Sequence, residues 1–257
     1  MVRHIYIQVF LELLLMKRSA LSQANIKKSL SLMLIFVMAL NVFAYPVLAS
    51  NDVAYIFKNQ NAIDDNVVEV FENLGLNVDL IQENNIPSDL SNYRLVYLGD
   101  ERYRNADQIE IWKYPSIVSN YFYGDEWGLT DRDGVSKLGS SAPLSVRIGH
   151  RIVQVYTQAT NRGLSIPYYY LSEENKIDGL DMVAQTYTGS NNDVGDVISY
   201  GSTGLELDNG EIAENNICFF GIVESDFWTP SAVELFEECV AFVGVACEND
   251  GDCQDEE

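Results

Sequence analysis

The stretch "VAYIFKNQNAIDDNVVEVFENLGLNVDLI", residues 53–81, decides the fold. It opens with the apolar run "VAYIF" and ends with a second apolar run, "LNVDLI", both of which are typical of buried strands. Between them, apolar residues recur at helical spacing with Asp and Glu opposite, and Gly75 follows the last of them. A strand, a helix and a strand in this order predict a parallel βαβ unit and an α/β fold.

The same pattern continues on the carboxyl side of this unit. "RLVYLG", residues 94–99, and "PSIVSNYFYG", residues 115–124, predict a third and a fourth buried strand. Strands without a polar face are typical of parallel sheets that are covered on both faces. We therefore expect a mainly parallel sheet at the start of the domain.

The middle of the chain has a different pattern. "HRIVQVYTQ" (150–158), "SIPYYYLS" (165–172), "DMVAQTYTG" (181–189) and "DVISYGSTG" (196–204) alternate apolar and polar residues between turn-forming residues. This pattern predicts an antiparallel, β-rich insertion. "ICFFGIVESDF" then predicts a further buried strand, and "TPSAVELFEECVAFVG" a closing helix with Thr229 as N-cap and Pro230 at its first position.

The amino terminus has the pattern of an export signal. Lys27 and Lys28 precede an apolar run, residues 30–44, and "VLA" precedes Ser50. The run is shorter than the roughly 20 residues that span a bilayer, so we expect cleavage after Ala49 and a secreted or cell-surface product. If the signal were kept, it would be the chain's one membrane contact. We predict that the signal covers residues 1–49. Met16 is an alternative start of the chain, and residues 1–15 would then be a mis-assigned extension.

Charge limits the partners of the mature chain. The full sequence has a formal net charge of −22, and residues 50–257 keep 11 basic and 37 acidic residues. Such a surface repels phosphate backbones, so we expect no nucleic-acid partner. An unknown protein or a glycan at the cell exterior is the expected partner.

All four cysteines lie near the carboxyl terminus. Cys218 falls in a predicted strand and Cys239 on the inner side of the closing helix, as small buried residues or as one bridge. Cys247 and Cys253 enclose "ENDGD" and are candidates for a small disulfide loop within an acidic tail, residues 246–257. Four cysteines allow three pairings, and the spacing does not choose among them.

Two segments resemble a known family. "VAYIFKNQNAIDDNVVEVFENLGLNVDLI…LSNYRLVYLGD" and "ICFFGIVESDFWTPSAVELFEECVAFVG" are similar to the opening and the closing of class I glutamine-amidotransferase-like domains, and together they frame residues 50–245. The resemblance implies a flavodoxin-like, doubly wound α/β sheet. Catalytic members carry a Cys in G-x-C-x-G after the third strand and a later His. Here that turn reads "LGDERYR" and no His follows His150, so the resemblance implies a non-catalytic exported member.

Ligands of open α/β sheets bind at the carboxyl ends of the strands. The acidic and aromatic residues predicted there are Asp100, Glu101, Asp125, Glu126, Trp127, Glu224 and Asp226. They fit a pair of glycosidase carboxylates beside a stacking aromatic, or oxygen ligands of Ca²⁺, or a solvated acidic rim without a ligand. The aromatic clusters "NYFYGDEW" and "IPYYYL" fit a sugar-stacking surface or, alternatively, the two faces of a sheet.

Other chemistry lacks a motif. No glycine-rich phosphate loop follows the first strand, and no G-x-S-x-G motif accompanies His150, which we interpret as a strand residue. We therefore predict no cofactor, with Ca²⁺ as the exception left open. The sequence favours a non-catalytic binding or surface-assembly module, with a glycan-directed hydrolase or a calcium-stabilised structural domain as alternatives.

Overall fold

The computed structural model describes residues 52–131, 135–139, 144–187 and 194–244. They all belong to the second of the two units into which the chain divides, Ser50–Glu257. The predicted export signal and the acidic tail with Cys247 and Cys253 lie outside the described residues. Within the described ranges, no helix is long and apolar enough to cross a membrane.

The elements follow the predicted order in the first half of the domain and in its closing segment. These are β1 (Val53–Phe57), α1 (Asp65–Asn73), β2 (Val78–Gln82), β3 (Leu95–Leu98) and β4 (Ser116–Val118), then the insertion with β5 (Val135–Leu138), β6 (Ser145–Ile148), β7 (Arg151–Gln154), β8 (Thr160–Asn161), β9 (Leu164–Ser165), β10 (Tyr168–Ser172), β11 (Asp181–Thr186) and β12 (Gly195–Gly201), and finally β13 (Ile217–Phe220) and α2 (Pro230–Gly244). Short 3₁₀ turns connect several of them.

One large mixed sheet organises the described residues. Its parallel part has the order β2-β1-β3-β4-β13, with Tyr55 opposite Leu80 on one side and Tyr97 on the other. The antiparallel part continues from β13 through β12, β11 and β6 to β7, while β10 pairs with both β12 and β5. The prediction of an α/β fold with a β-rich antiparallel insertion is confirmed.

The two faces of the sheet are covered in different ways. Both helices pack on one face, where Phe71 of α1 and Phe236 of α2 lie 5.3 Å apart between ring centroids and both contact Tyr97. The other face is covered by irregular crossover segments, whose buried members include Tyr103, Ile111 and Trp127. This arrangement follows from right-handed crossovers: the β2–β3 connection passes behind β1, on the face opposite α1.

The finer prediction of a flavodoxin-like, doubly wound sheet is not confirmed. The parallel strands have the 2-1-3-4-5 order of that fold. However, residues 83–94 and 99–115, where helices would cover the second face, contain only the 3₁₀ turns Glu83–Asn85 and Ala106–Gln108. In the segment "RNADQIEIWKYP" the buried residues Ala106, Ile109, Ile111 and Tyr114 would not share one face of a helix, which agrees with an irregular second cover.

Local signals fix the ends of the two helices. The Asp64 carboxylate accepts the backbone N–H groups of Asn66 and Val67 at 3.1 and 3.2 Å and so caps α1. The Thr229 hydroxyl accepts the N–H of Ala232 at 3.3 Å at the start of α2, as predicted. Further along α2, Cys239 forms a disulfide with Cys218 of β13. The bridge therefore ties the closing helix to the centre of the sheet.

Candidate functional site

The turn after β3 is fixed by a buried carboxylate. Glu101 is 8% exposed, and its side chain accepts the backbone N–H groups of Lys58 and Asn59 at 3.2 and 3.0 Å. The Asn59 amide adds a third contact, at 3.3 Å. Glu101 thereby ties the carboxyl end of β1 to that of β3, and it acts as a structural clamp at the edge of the sheet.

A buried asparagine fixes the same turn from the β4 side. The Nδ2 of Asn120 donates to the carbonyl oxygens of Gly99 and Glu101, both at 2.8 Å. Its Oδ1 accepts the N–H of Phe122 at 2.8 Å. Because Gly99 and Glu101 flank Asp100, these bonds hold the Asp100 backbone between two strand ends.

Asp100 has the most perturbed environment of the predicted site residues. Burial, the main cause, raises the pKa of its carboxyl group to about 7, and the nearby charges of Glu224 and Glu101 act in the same direction. A hydrogen bond from the backbone N–H of Tyr121 opposes the rise. The second oxygen, Oδ1, is buried and has no hydrogen-bond partner among the described residues. Near neutral pH this carboxyl group is therefore partly protonated and has an unused polar atom.

Three tyrosines surround this carboxyl group. The rings of Tyr121 and Tyr169 stack with centroids 4.2 Å apart and planes 10° apart. Burial raises the pKa of the Tyr169 hydroxyl, and the charge of Asp100 raises it further. Tyr156 is buried, and its hydroxyl accepts the N–H of Glu224 at 3.3 Å and donates to the carbonyl of Pro167 at 3.0 Å. The aromatic groups thus connect β4, the insertion and the segment after β13.

A second group of polar residues joins α1 to the segment after β13. The Ser225 hydroxyl donates to Asp64 at 2.6 Å, and Asn66 donates to Asp226 at 2.8 Å. The pKa of Asp64 is raised, mainly by burial, and the pKa of the Glu224 carboxyl is raised by burial and by the charges of Asp226 and Asp64. The carboxylates therefore form a continuous row along the edge. We call this row, Glu101, Asp100, Glu224, Asp64 and Asp226, the carboxyl-edge row.

The other predicted site residues lie elsewhere. Trp127 is fully buried, and its indole N–H donates to the carbonyl of Ala106 at 2.9 Å, so no ring face is available to stack a sugar. The turn that carries Asp125 and Glu126 packs on the hairpin between β12 and β13, where Asn209 donates to the Glu126 carbonyl at 3.3 Å. That hairpin leads into the amino end of β13, whereas Asp100 and Glu224 follow the carboxyl ends of their strands. Asp125 and Glu126 are therefore not grouped with Asp100 and Glu224.

Five contributors to this edge were not predicted from the sequence. Asp64 was interpreted only as part of the acidic side of α1, and Asn120 and Tyr156 carried no motif. Tyr121 and Tyr169 come from the two aromatic clusters in which a stacking surface was one alternative, although nothing in the sequence paired them. The rings of Tyr121 and Tyr169 meet because β10 lies beside the carboxyl end of β13, where the N–H of Tyr169 donates to the Gly221 carbonyl at 2.8 Å. Only the tertiary fold supplies that contact.

The arrangement suits hydrogen bonding and proton transfer better than ion binding. A carboxyl group with a pKa near 7 can donate or accept a hydrogen bond under physiological conditions. Within the part of the chain that the structure describes, no three Asp, Glu, His or Cys side chains are arranged to hold a metal ion. A cavity of about 510 Å³ lies at the opposite, amino end of the strands, lined by Arg94, Lys113 and Glu214 among others.

Comparison with known proteins gives information on the fold alone. No family model and no curated protein matches the sequence. Among solved structures, a β-galactosidase from the Antarctic haloarchaeon Halorubrum lacusprofundi is similar, with 12% identity and a TM-score of 0.50 over 76% of this chain and 30% of that chain. The exo-β-1,4-mannosidase Op5Man5 from Opitutaceae bacterium strain TAV5 matches with 8% identity and a TM-score of 0.39 over 81% and 36% of the two chains.

A glutamine amidotransferase from Thermotoga maritima is also similar, with 9% identity and a TM-score of 0.34 over 74% of this chain and 81% of that chain. Of these three structures the β-galactosidase has the highest TM-score, and at 12% identity its likeness concerns the fold alone. The chain spans about a third of the length of the two glycosidases that it matches.

Proposed function

We propose that this chain is an exported binding module that holds a glycan at the carboxyl-edge row. The observation that carries the proposal is Asp100, a mostly buried carboxyl group with a pKa of about 7 and one oxygen that has no hydrogen-bond partner among the described residues. Such a group can pair with a sugar hydroxyl as donor or as acceptor. A disulfide between Cys218 and Cys239 agrees with an oxidising, extracellular compartment.

The neighbouring aromatics support a glycan as the ligand class. The stacked pair of Tyr121 and Tyr169 lies beside Asp100, and aromatic rings next to a few polar groups are typical of sites that bind small polar ligands. The fold is shared with a β-galactosidase. That likeness supports the proposal only at the level of the fold.

Binding is tested by thermal melts of residues 50–257 with a panel of mono- and oligosaccharides. A sugar at about 100 times its dissociation constant should stabilise the protein by about 2.7 kcal/mol. We expect Asp100→Asn and Tyr121→Ala to weaken binding at least about tenfold, since each removes one direct partner of the sugar. The matched variant Asp181→Asn changes an exposed carboxylate on β11 and should leave binding unchanged. A panel without any shift would exclude the glycan proposal.

A glycan-directed hydrolase is the second candidate, and one observation favours it. Asp100 and Glu224 are two carboxyl groups in unequal environments, the first mostly buried and the second closer to solvent, as in acid and base pairs of glycosidases. If the site is hydrolytic, release of reducing ends should disappear in Asp100→Asn while substrate binding is partly kept. If the module only binds, no reducing ends are released by the wild type at all.

A further inference from the structure

A buried ion pair lies in the antiparallel part of the sheet. The Nζ of Lys176 lies 2.8 Å from Oδ2 of Asp196, whose side chain is fully buried, while the Lys176 side chain is 19% exposed. Ser199, which is also fully buried, donates its hydroxyl to the same oxygen at 3.1 Å. None of these three residues belongs to the carboxyl-edge row.

The backbone brings the two ends of this pair together. Asp196 lies opposite Leu171, where β12 pairs with β10. The chain turns back directly after β10, because the N–H of Lys176 donates to the Ser172 carbonyl at 2.8 Å. Main-chain hydrogen bonds therefore place the Lys176 side chain beside the start of β12, and the contact between the ammonium and the carboxyl group does not rest on the side chains alone.

The hydrogen bonds of Asp196 fit an amide better than a carboxylate. An ionised carboxyl group has two oxygens, each of which accepts hydrogen bonds. Oδ2 accepts from Lys176 and Ser199, whereas Oδ1 is buried and has no hydrogen-bond partner among the described residues. An amide between the two side chains keeps a single oxygen, and the Ser199 hydroxyl lies within reach of it. Condensation would thus remove a buried polar atom that the ion pair leaves unsatisfied.

A second carboxylate contacts the nitrogen of this pair. Oε1 of Glu173 lies 3.2 Å from Nζ of Lys176. Burial raises the pKa of the Asp196 carboxyl group and so favours its protonated form. Burial also acts against the charge of Lys176, although the hydrogen bonds of its ammonium group to Asp196 and Glu173 leave its pKa raised. A neutral amine beside a neutral acid is therefore the minor form of the pair.

We propose that Lys176 and Asp196 form an intramolecular amide cross-link, with Glu173 as the group that moves the proton. The ammonium first passes one proton to Asp196 along their hydrogen bond. The nitrogen then attacks Cγ, so that a C–N bond forms and a C–O bond breaks. Glu173 takes a second proton from the nitrogen and passes it to the departing hydroxyl, which leaves as water. No oxidant or reductant takes part.

Proximity makes this reaction feasible although the neutral pair is the minor form. Groups that a fold holds in contact react with a high effective concentration. The cross-link forms once in the life of each molecule, so a slow step is sufficient. It would join the turn after β10 to the centre of the antiparallel strands, and it does not depend on the glycan proposal.

Intact-mass measurement of residues 50–257, after reduction of the disulfides, tests the cross-link. We expect the wild type to be lighter than its sequence requires by the mass of one water molecule. Lys176→Arg should have its full calculated mass, because a guanidinium keeps the positive charge and does not condense with the carboxyl group. Glu173→Gln should gain the lighter form at least about tenfold more slowly, since it no longer accepts the proton.

Digestion with trypsin locates the lost water. Arg162 and Lys176 are the last two basic residues of the chain. An unlinked chain therefore releases the fragment 163–176, whereas an amide at Lys176 blocks cleavage there. We expect this fragment from Lys176→Arg and not from the wild type, in which tandem mass spectrometry should identify a bond between Lys176 and Asp196.

Two results would overturn the proposal. The first is a wild type with its full calculated mass that releases the fragment 163–176 completely. The second is a loss of water from Lys176→Arg as well as from the wild type, because Asp-Gly sequences such as Asp178-Gly179 also dehydrate. The wild-type mass and fragments decide the question even if a variant does not fold.

Discussion

At the scale of the residue, Asp100 links protonation to stability. Its pKa of about 7 lies above the usual value for an Asp in an unfolded chain. Between about pH 4 and 7 the native state therefore keeps a proton that the unfolded chain has lost. The stability that Asp100 contributes is therefore complete below about pH 4 and is lost as the pH rises toward 7. Burial of the charged form is the physical cause.

Replacing Asp100 by Asn should remove this loss. We expect the variant to be more stable than the wild type at pH 8, by about 4 kcal/mol at most, since each pKa unit corresponds to about 1.4 kcal/mol. Urea unfolding between pH 4 and 8 measures the difference. Some pH dependence should persist, because the pKa values of Asp64, Asp196 and Glu224 are also raised. The exposed variant Asp181→Asn should follow the wild type; equal slopes for both variants would contradict the assignment to Asp100.

Glu101, next to Asp100 in the chain, should behave differently. Glu101→Ala leaves the backbone N–H groups of Lys58 and Asn59 without their acceptor, and we expect a loss of about 2–3 kcal/mol in the free energy of unfolding. Glu101→Gln keeps one acceptor oxygen and should lose less. Urea unfolding of both variants tests this order. A Gln variant as unstable as the Ala variant would show that charge, and not hydrogen bonding, is what the turn requires.

The contrast between residues explains what the sequence could predict of the site. Asp100 and Glu101 come two and three residues after the end of β3, and Glu224 and Asp226 come four and six residues after the end of β13. The parallel order of these strands brings their backbone positions to one edge. Trp127 lies several residues beyond β4, and there the path of an irregular segment decides its place. That segment turns back over the sheet and buries the indole in the second core. No local pattern of residues encodes such a path.

At the scale of the element, the disulfide is the strongest single link of α2 to the sheet. Cys218 and Cys239 are separated by 21 residues and are both fully buried. We expect Cys218→Ala/Cys239→Ala to lower the free energy of unfolding by about 2–4 kcal/mol, because the unfolded chain regains the entropy of an open loop. Urea unfolding of oxidised protein tests this. The matched variant Cys247→Ala/Cys253→Ala should lose less, and an equal loss would contradict the dominant role of the first bridge.

Elements with strong periodicity were predictable and the covers of the second face were not. Helices α1 and α2 and strands β1 and β3 follow from apolar spacing and caps. The fourth strand was predicted over residues 115–124, whereas β4 ends at Val118, because Asn120 bonds to the turn after β3 instead of continuing the ladder. The crossovers of the second face lack helical periodicity, and tertiary contacts of Tyr103 and Trp127 fix them.

At the scale of the whole molecule, the charge is segregated. Carboxylates accumulate along the carboxyl-edge row, whereas residues 134–172 have none. Repulsion among the acidic residues opposes the compact state, and added salt reduces it.

Screening of the acidic surface and binding at a specific calcium site differ in their dependence on the kind of salt. Because no three described carboxylates are arranged around one point, we expect CaCl₂ to raise the melting temperature no more than NaCl of equal ionic strength. Differential scanning fluorimetry of residues 50–257 with EDTA, NaCl, MgCl₂ and CaCl₂ measures this. A specific site at 100 times its dissociation constant would add about 2.7 kcal/mol beyond screening. If such a calcium shift occurs and Asp100→Asn or Asp226→Asn abolishes it, the carboxyl-edge row binds calcium and the calcium-stabilised domain replaces the glycan proposal.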